Sequence, residues 1–285
     1  MELQIIDKRS AEYPKRLRDI PDPPDKLYCQ GDISLLQSRT VAVVGSRKYT
    51  LYGKNVTLMI GKRLAENDVT TVSGLALGVD AFSHEGALDA GGRVIGVLGS
   101  GIDMMTPYSN RKLMKRGLDS GGLVVSEYPQ GTPPHRSRFP ARNRIISGLS
   151  EAVIIVEADL NSGSLITAKH AAEQGRCVYA VPGNINSQSS IGCNLLIRDG
   201  AVPLIIIDDV IRDLGMETKN SKTEKQDLET DEQKIFESAA RRGGATLDEI
   251  SADSGLNVSL VSSLVTVMEI KGIVQSYAGR IYVAG

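Results

Sequence analysis

Residues 40–47 read Thr40-Val41-Ala42-Val43-Val44-Gly45-Ser46-Arg47. The first five make a short apolar run rich in β-branched side chains. Residues 54–67 then place Val56, Met59, Ile60 and Leu64 on one helical face. A strand flanked by parallel neighbours and covered on both faces has this composition, because neither face meets water. The run ends at Gly45, where the backbone can turn sharply, and next offers a hydroxyl (Ser46) and a fixed positive charge (Arg47). In open parallel α/β sheets ligands bind at that carboxyl edge.

The same strand, small polar turn and helix recur down the chain. Val69–Val72 precedes Ser73-Gly74-Leu75-Ala76-Leu77-Gly78-Val79-Asp80, and Arg93–Leu98 precedes Gly99-Ser100-Gly101-Ile102-Asp103. Further strands are expected at Gly122–Ser126, Ala152–Ala158, Cys177–Val181 and 202–206, with helices near Ser109–Leu118 and Ala141–Leu149 and another opening at Asn161-Ser162-Gly163-Ser164. Repeated βα units predict a doubly wound, mostly parallel sheet with helices on both faces over residues 40–215. Residues 1–39 lack periodicity and hold Pro23-Pro24, which suits an arm with a short helix near Tyr13–Arg18, packed against the main domain. Residues 216–230 are polar and charged and read as a solvated linker. Residues 231–285 show three helix patterns and a hairpin, a small winged-helix layout.

Composition narrows the function. No run approaches the roughly 20 apolar residues of a membrane span, and the N-terminus has no apolar signal core, so a cytoplasmic protein is expected. The three cysteines (Cys29, Cys177, Cys193) form no C-x-x-C, and neither a disulfide framework nor a metal site is expected. The net charge of −1 excludes a bulk polycation, so nucleic acid would need a local patch. Counted by segment, residues 40–215 carry +2 while 1–39 carry 0, 216–230 carry −1 and 231–285 carry −2.

That patch has one clear candidate. Residues 128–150, YPQGTPPHRSRFPARNRIISGLS, contain no Asp or Glu and set Arg136, Arg138, Arg142 and Arg144 among His135, Phe139 and Asn143. Arginine pairs with phosphate bidentately and an aromatic ring gives a base a platform, a combination suited to single strands. The plain alternative is a solvated surface with Phe139 in the core. The glycine turns suit anion binding at helix N-termini, or are simply the tight turns of an α/β fold. Neither Gly45-Ser46-Arg47 nor Gly99-Ser100-Gly101 completes a dinucleotide fingerprint. Ser162, Gly163 and Ser164, with Lys169, either hold a phosphate or cap a helix. Asp80 and Asp103, with His84 and Glu85, are the residues open to acid–base work, but no known catalytic motif surrounds them. The third C-terminal helix, residues 257–271, has Lys271 as its only basic residue, so core packing with a protein-binding face outweighs DNA readout there.

Taken in order, VAVVGSR, SGLALGVD, GSGID, SEYPQGTPP, FPARNRIISGLS, SGSLITAKHA and VPGNI resemble the DNA-processing protein A family (DprA, also called Smf). The resemblance spans roughly residues 27–201 and extends to the winged-helix layout of the tail. It implies an extended Rossmann-like domain that binds single-stranded DNA, forms a homodimer and loads RecA recombinase, with a role in protecting incoming DNA during natural transformation. It implies no catalytic activity and no cofactor. Carried over by position, it puts DNA contacts at Arg47, Arg136, Phe139, Arg142 and Asn143, with Ser162, Gly163 and Lys169 in matching motifs. Two departures stand out. Residues 1–39 leave little room for the extra N-terminal helical domain of many members. Where members read Tyr-Pro after Gly-Ser-Gly-Ile-Asp, this chain has Pro107-Tyr108.

The expected function is therefore single-stranded DNA binding by a non-enzymatic recombination mediator. The alternative from another class is a Rossmann-like nucleotide hydrolase of the phosphoribohydrolase type. Those proteins carry a Pro-Gly-Gly-x-Gly-Thr turn with a catalytic Glu, and the corresponding stretch here reads Pro182-Gly183-Asn184-Ile185. A transcription factor acting through the tail is disfavoured by the acidity of residues 231–285.

Overall fold

The computed structural model describes residues 2–219, 230–270, 273–277 and 279–283. The chain divides into two units, 1–219 and 220–285, each described by itself.

In the first unit, nine strands among the described residues form one sheet. They are β1 (Leu3–Asp7), β2 (Lys26–Gly31), β3 (Thr40–Val44), β4 (Thr70–Ser73), β5 (Val94–Leu98), β6 (Leu123–Ser126), β7 (Ala152–Ile155), β8 (Cys177–Ala180) and β9 (Val202–Pro203). The spatial order is β1-β2-β6-β5-β4-β3-β7-β8-β9. From β6 through β9 all neighbours are parallel, while β1 and β2 add an antiparallel edge. The helices are α1 (Lys15–Arg18), α2 (Leu51–Glu66), α3 (Val79–Asp89), α4 (Arg111–Asp119), α5 (Arg138–Gly148), α6 (Gly163–Glu173), α7 (Gln188–Arg198) and α8 (Ile207–Asp213).

Side chains alternate across each strand, so β3 and β7 feed two separate cores. Val41, Val43 and Ile154 pack with Ile60 and Leu64 of α2 on one face. Ala42, Val44, Val153 and Ile155 pack with Ile145 of α5 and with Ala168 and Ala171 of α6 on the other. All five residues of β3 are buried, as a strand covered on both faces requires.

The sequence reading differs from this structure in the strands and helices at several places. Residues 1–39 are not only a packed arm: β1 and β2 are strands of the sheet, tied to β6 by the Tyr28–Ser126 register. The strand expected at 202–206 is only Val202–Pro203, and α8 begins at Ile207. Helix α7 was not expected, because Gln188–Arg198 opens with polar residues and carries Gly192 at its middle.

The second unit contains α9 (Thr230–Arg242), α10 (Leu247–Ser254), α11 (Val258–Ile270), β10 (Val274–Tyr277) and β11 (Arg280–Val283), the last two antiparallel. Thr246 and Glu249 form a reciprocal capping box at the start of α10, and Gly255 ends that helix in a left-handed conformation, φ 72°. Ile235, Ala239, Ile250, Val261, Val265, Met268 and Ile281 make its core. The linker expected at 216–230 lies, from 220 to 229, outside the described residues. Among the described residues no single helix is long and apolar enough to cross a membrane.

Candidate nucleic-acid interface

The strand order reverses between β3 and β7. From β3 the sheet runs one way through β4, β5 and β6, and from β7 it runs the other way through β8 and β9. The helices that follow β3 and β7 consequently cover opposite faces, and the chain parts between the two carboxyl ends. A crevice at this point is the usual ligand site of such sheets. Here it is a cleft of about 510 Å³.

One wall is the turn after β3. The Ser46 hydroxyl donates to the Lys48 carbonyl (2.8 Å) and accepts from the Lys48 amide (3.0 Å), which closes the turn and leaves Arg47 and Lys48 pointing into solvent. The turn after β4 packs tightly behind it. Gly78 has φ +80°, and a Cβ there would lie 2.5 Å from the Ser46 carbonyl oxygen, so glycine answers both a backbone and a packing demand.

A second wall is the entry to α5, which brings Arg136, Phe139 and Asn143 to the cleft. The acid-free loop is thus partly helical, starting at Arg138 rather than near Ala141. Phe139 is half-buried, and the Arg47 guanidinium carbon lies 5.8 Å from its ring centre. That contact is worth about 0.5–1 kcal/mol at an exposed site and fixes cation and ring side by side.

The third wall is the N-terminus of α6. Ser162 is its N-cap: its hydroxyl accepts from the Ser164 amide at 3.4 Å and bonds the Ser164 hydroxyl at 2.7 Å. Gly163 and Ser164 line the cleft beside it. The Asn143 side-chain amide donates to the Gly163 carbonyl at 3.2 Å and joins the second wall to the third.

Arg142 departs from the expectation. It is only 4% exposed, and its Nη1 donates to the carbonyls of Gly74 (2.8 Å) and Val97. Asp80, also buried, accepts the Gly74 amide at 3.0 Å. The two charged groups therefore hold the donor and the acceptor of one residue at the end of β4. Burial pushes the Asp80 carboxyl up, with Arg142 opposing it. Burial likewise pushes Arg142 down to about 10, with Asp80 opposing and Arg47 adding to the fall. Arg142 is accordingly a strut in the cleft floor, not a surface cation free to meet a phosphate.

Two more arginines of the basic stretch are engaged elsewhere. Arg144 is buried and bonds Glu127 with two nitrogens (2.6 and 3.0 Å) and Asp22 with a third (2.9 Å). Arg138 lies over the Tyr128 ring at 4.9 Å and donates to the Pro133 carbonyl. Of the four arginines in this stretch, Arg136 is the exposed one at the cleft. Lys169 lies apart from these residues. Its side chain is 75% exposed, it pairs with Glu173 at 3.8 Å one helical turn on, and it does not line the cleft.

The residues set aside for acid–base work do not converge. Both Asp103 carboxylate oxygens accept the Gly131 amide at 3.0 Å. His84 is packed among Leu75, Val94 and Leu113, and its ring nitrogens lack a partner of ordinary geometry. Sequence reasoning missed Lys48 and Asp159, both of which line the cleft. Lys48 had a signal, its position next to Arg47. Asp159 had none, since only the fold brings the end of β7 beside β3.

Residues 4–215 match the family described as DNA recombination-mediator protein A. The chain belongs to this family. Residues 219–280 match the DprA winged helix domain. Protein Smf of Escherichia coli is 42% identical over 210 residues, covering 74% of this chain and 56% of the relative. DNA processing protein DprA of Bacillus subtilis is 42% identical over 213 residues, covering 74% and 71%. The chain spans about half the length of the Smf proteins of E. coli and Synechocystis sp.. Among solved structures, DNA processing protein A of Streptococcus pneumoniae is 40% identical with a TM-score of 0.70, covering 75% of each chain. The Helicobacter pylori protein, described for its unique single-stranded DNA binding mode, is 35% identical with a TM-score of 0.67, covering 75% of this chain and 96% of that one.

Proposed function

We propose that this protein binds single-stranded DNA in the cleft between β3 and β7 and acts there as a recombination mediator without a catalytic step. The observation that carries the reading is the convergence, at a topological switch point, of three exposed cations (Arg47, Lys48, Arg136) with a half-buried phenyl ring. Cations neutralise phosphates and release counterions, and the ring of Phe139 offers a face to a base. An open, ring-lined cleft suits a flexible strand, whereas base readout in a duplex needs an element inserted into a groove. The single-stranded DNA binding described for the H. pylori relative supports the same reading. Two further parts of the proposal rest on the family. The protein protects incoming DNA in natural transformation and hands the bound strand to RecA recombinase, and it works as a homodimer whose paired clefts lengthen the strand held.

The test is fluorescence anisotropy with labelled oligo-dT and with a matching duplex over a salt series, for the wild type and an Arg136→Ala/Phe139→Ala double variant. Tight, salt-sensitive binding to the single strand, weak duplex binding and a large loss in the variant are expected. Absence of single-strand binding by the wild type would overturn the proposal, and release of free base from a nucleotide would replace it with the hydrolase reading.

A further inference from the structure

The Arg47–Phe139 pair borders a second cavity as well as the main cleft. On its far side lies a space of about 190 Å³ lined by Leu77, Thr106 and Pro107 together with Arg47 and Phe139 themselves. This is below the roughly 300–1,000 Å³ of sites that enclose a whole small ligand, and its lining is mostly apolar. At its border the chain turns outward. Tyr108, next to Pro107, is 74% exposed, and the Arg111 guanidinium carbon lies 4.3 Å from its ring centre. Leu77 is 48% exposed. This border is held firmly: the buried Asn110 amide donates to the carbonyls of Leu75 and Ala76, both at 3.0 Å, and so pins Tyr108–Asn110 to the turn that supplies Leu77. Asp103, the nearby acid of the same loop, is turned to the Gly131 amide.

The geometry points to a second base-binding subsite, in which Tyr108 and the Leu77–Pro107 cavity receive the nucleotide next to the one held at Phe139. The inference rests on single-stranded DNA as the ligand of the main cleft. Three features carry it beyond that reading. The two cavities share the Arg47–Phe139 wall and so lie next to each other. The Tyr108–Arg111 stack repeats the ring-and-cation arrangement of Phe139 and Arg47. An exposed tyrosine ring held on a pinned turn presents a stacking face at little entropic cost, since its backbone is already fixed.

The chain has no tryptophan, so Tyr108→Trp installs a single indole reporter at the subsite. Titration with oligo-dT is expected to quench its emission, while an oligonucleotide of equal length whose central positions are abasic leaves the emission unchanged. Tyr108→Ala is expected to melt like the wild type and to bind oligo-dT on the order of tenfold more weakly, with an unchanged salt slope because no charge is removed. If anisotropy shows wild-type binding but the indole emission does not move, or Tyr108→Ala binds as the wild type does, the subsite falls and the main cleft stands. If the wild type does not bind oligo-dT at all, the proposed function itself falls and the subsite goes with it.

Discussion

The rim and the floor of the cleft are built from the same residue type and use it in opposite ways. At the rim, Arg47 and Arg136 are exposed, and Arg47 leans on the Phe139 ring. In and beneath the floor, Arg142 and Arg144 are buried and give their donors to backbone carbonyls or carboxylates of the protein. Arg136 and Arg142 are six positions apart in one acid-free stretch, yet one is exposed at the cleft and the other is buried and bonded to backbone carbonyls. The difference comes from α5. Arg136 precedes the helix and stays exposed, while Arg142 sits one turn inside it and reaches the carbonyls of Gly74 and Val97 at the ends of β4 and β5. A count of positive charge along a sequence therefore overstates what a surface offers, and burial decides which arginines remain.

The largest expected effect comes from the floor. Arg142→Ala removes the cation facing a buried Asp80 and strips a donor from two carbonyls. Loss of one member of such a buried charged set costs about 3–5 kcal/mol, and at roughly 2–4 °C per kcal/mol the melting temperature falls by about 6–20 °C. Replacing both, Asp80→Asn with Arg142→Met, is expected to recover part of the loss, because no lone buried charge is left. Thermal melting by circular dichroism reads both. A single variant that melts like the wild type would return Arg142 to the rim.

The same comparison shows how far the sequence could be read. The all-apolar β3 run and the recurring small-residue turns were sufficient for a parallel, doubly wound sheet, because burial on both faces imposes a composition of its own. Phe139 and Arg136 were legible as cleft residues from the lack of acids around them. Arg142 and Arg144 were not separable from them, since their partners Asp80, Gly74, Glu127 and Asp22 come from distant parts of the chain. Strands β1 and β2 escaped notice because two short strands flanking a proline-rich stretch carry little periodic signal. Helix α7 was missed for a related reason, its apolar face being broken by Gly192.

Two rim variants sharpen the contrast from the other side. Phe139→Ala removes the platform from a half-buried site, and the loss in oligo-dT binding is expected at roughly 1–3 kcal/mol, the range for one stacked base. Its salt slope should match that of the wild type. Arg47→Ala should do the reverse. Each phosphate contact on a single strand contributes about 0.7 to the slope of log K against log salt, so a fall of about that size is expected, with melting unchanged. Competition titrations at four or five salt concentrations separate the two. An Arg47 variant that loses stability instead of slope would show that the rim, like the floor, is structural.

Lys169 is the smallest expected effect and the sharpest check on position. Family resemblance sets it in a matching motif, but on α6 it lies outside the cleft lining and forms an exposed pair with Glu173. Pairs one turn apart on a helix surface are worth about 0.3–0.5 kcal/mol, so Lys169→Ala should barely alter melting. It should also leave both affinity and salt slope where they are, because a cation outside the cleft neutralises no bound phosphate. A slope reduced by about 0.7 would mean that the strand continues past the N-terminus of α6 and runs along its outer face. The rim would then extend to a helix whose cap, Ser162, sits at the cleft, and Lys169 would join Arg47 as a phosphate contact.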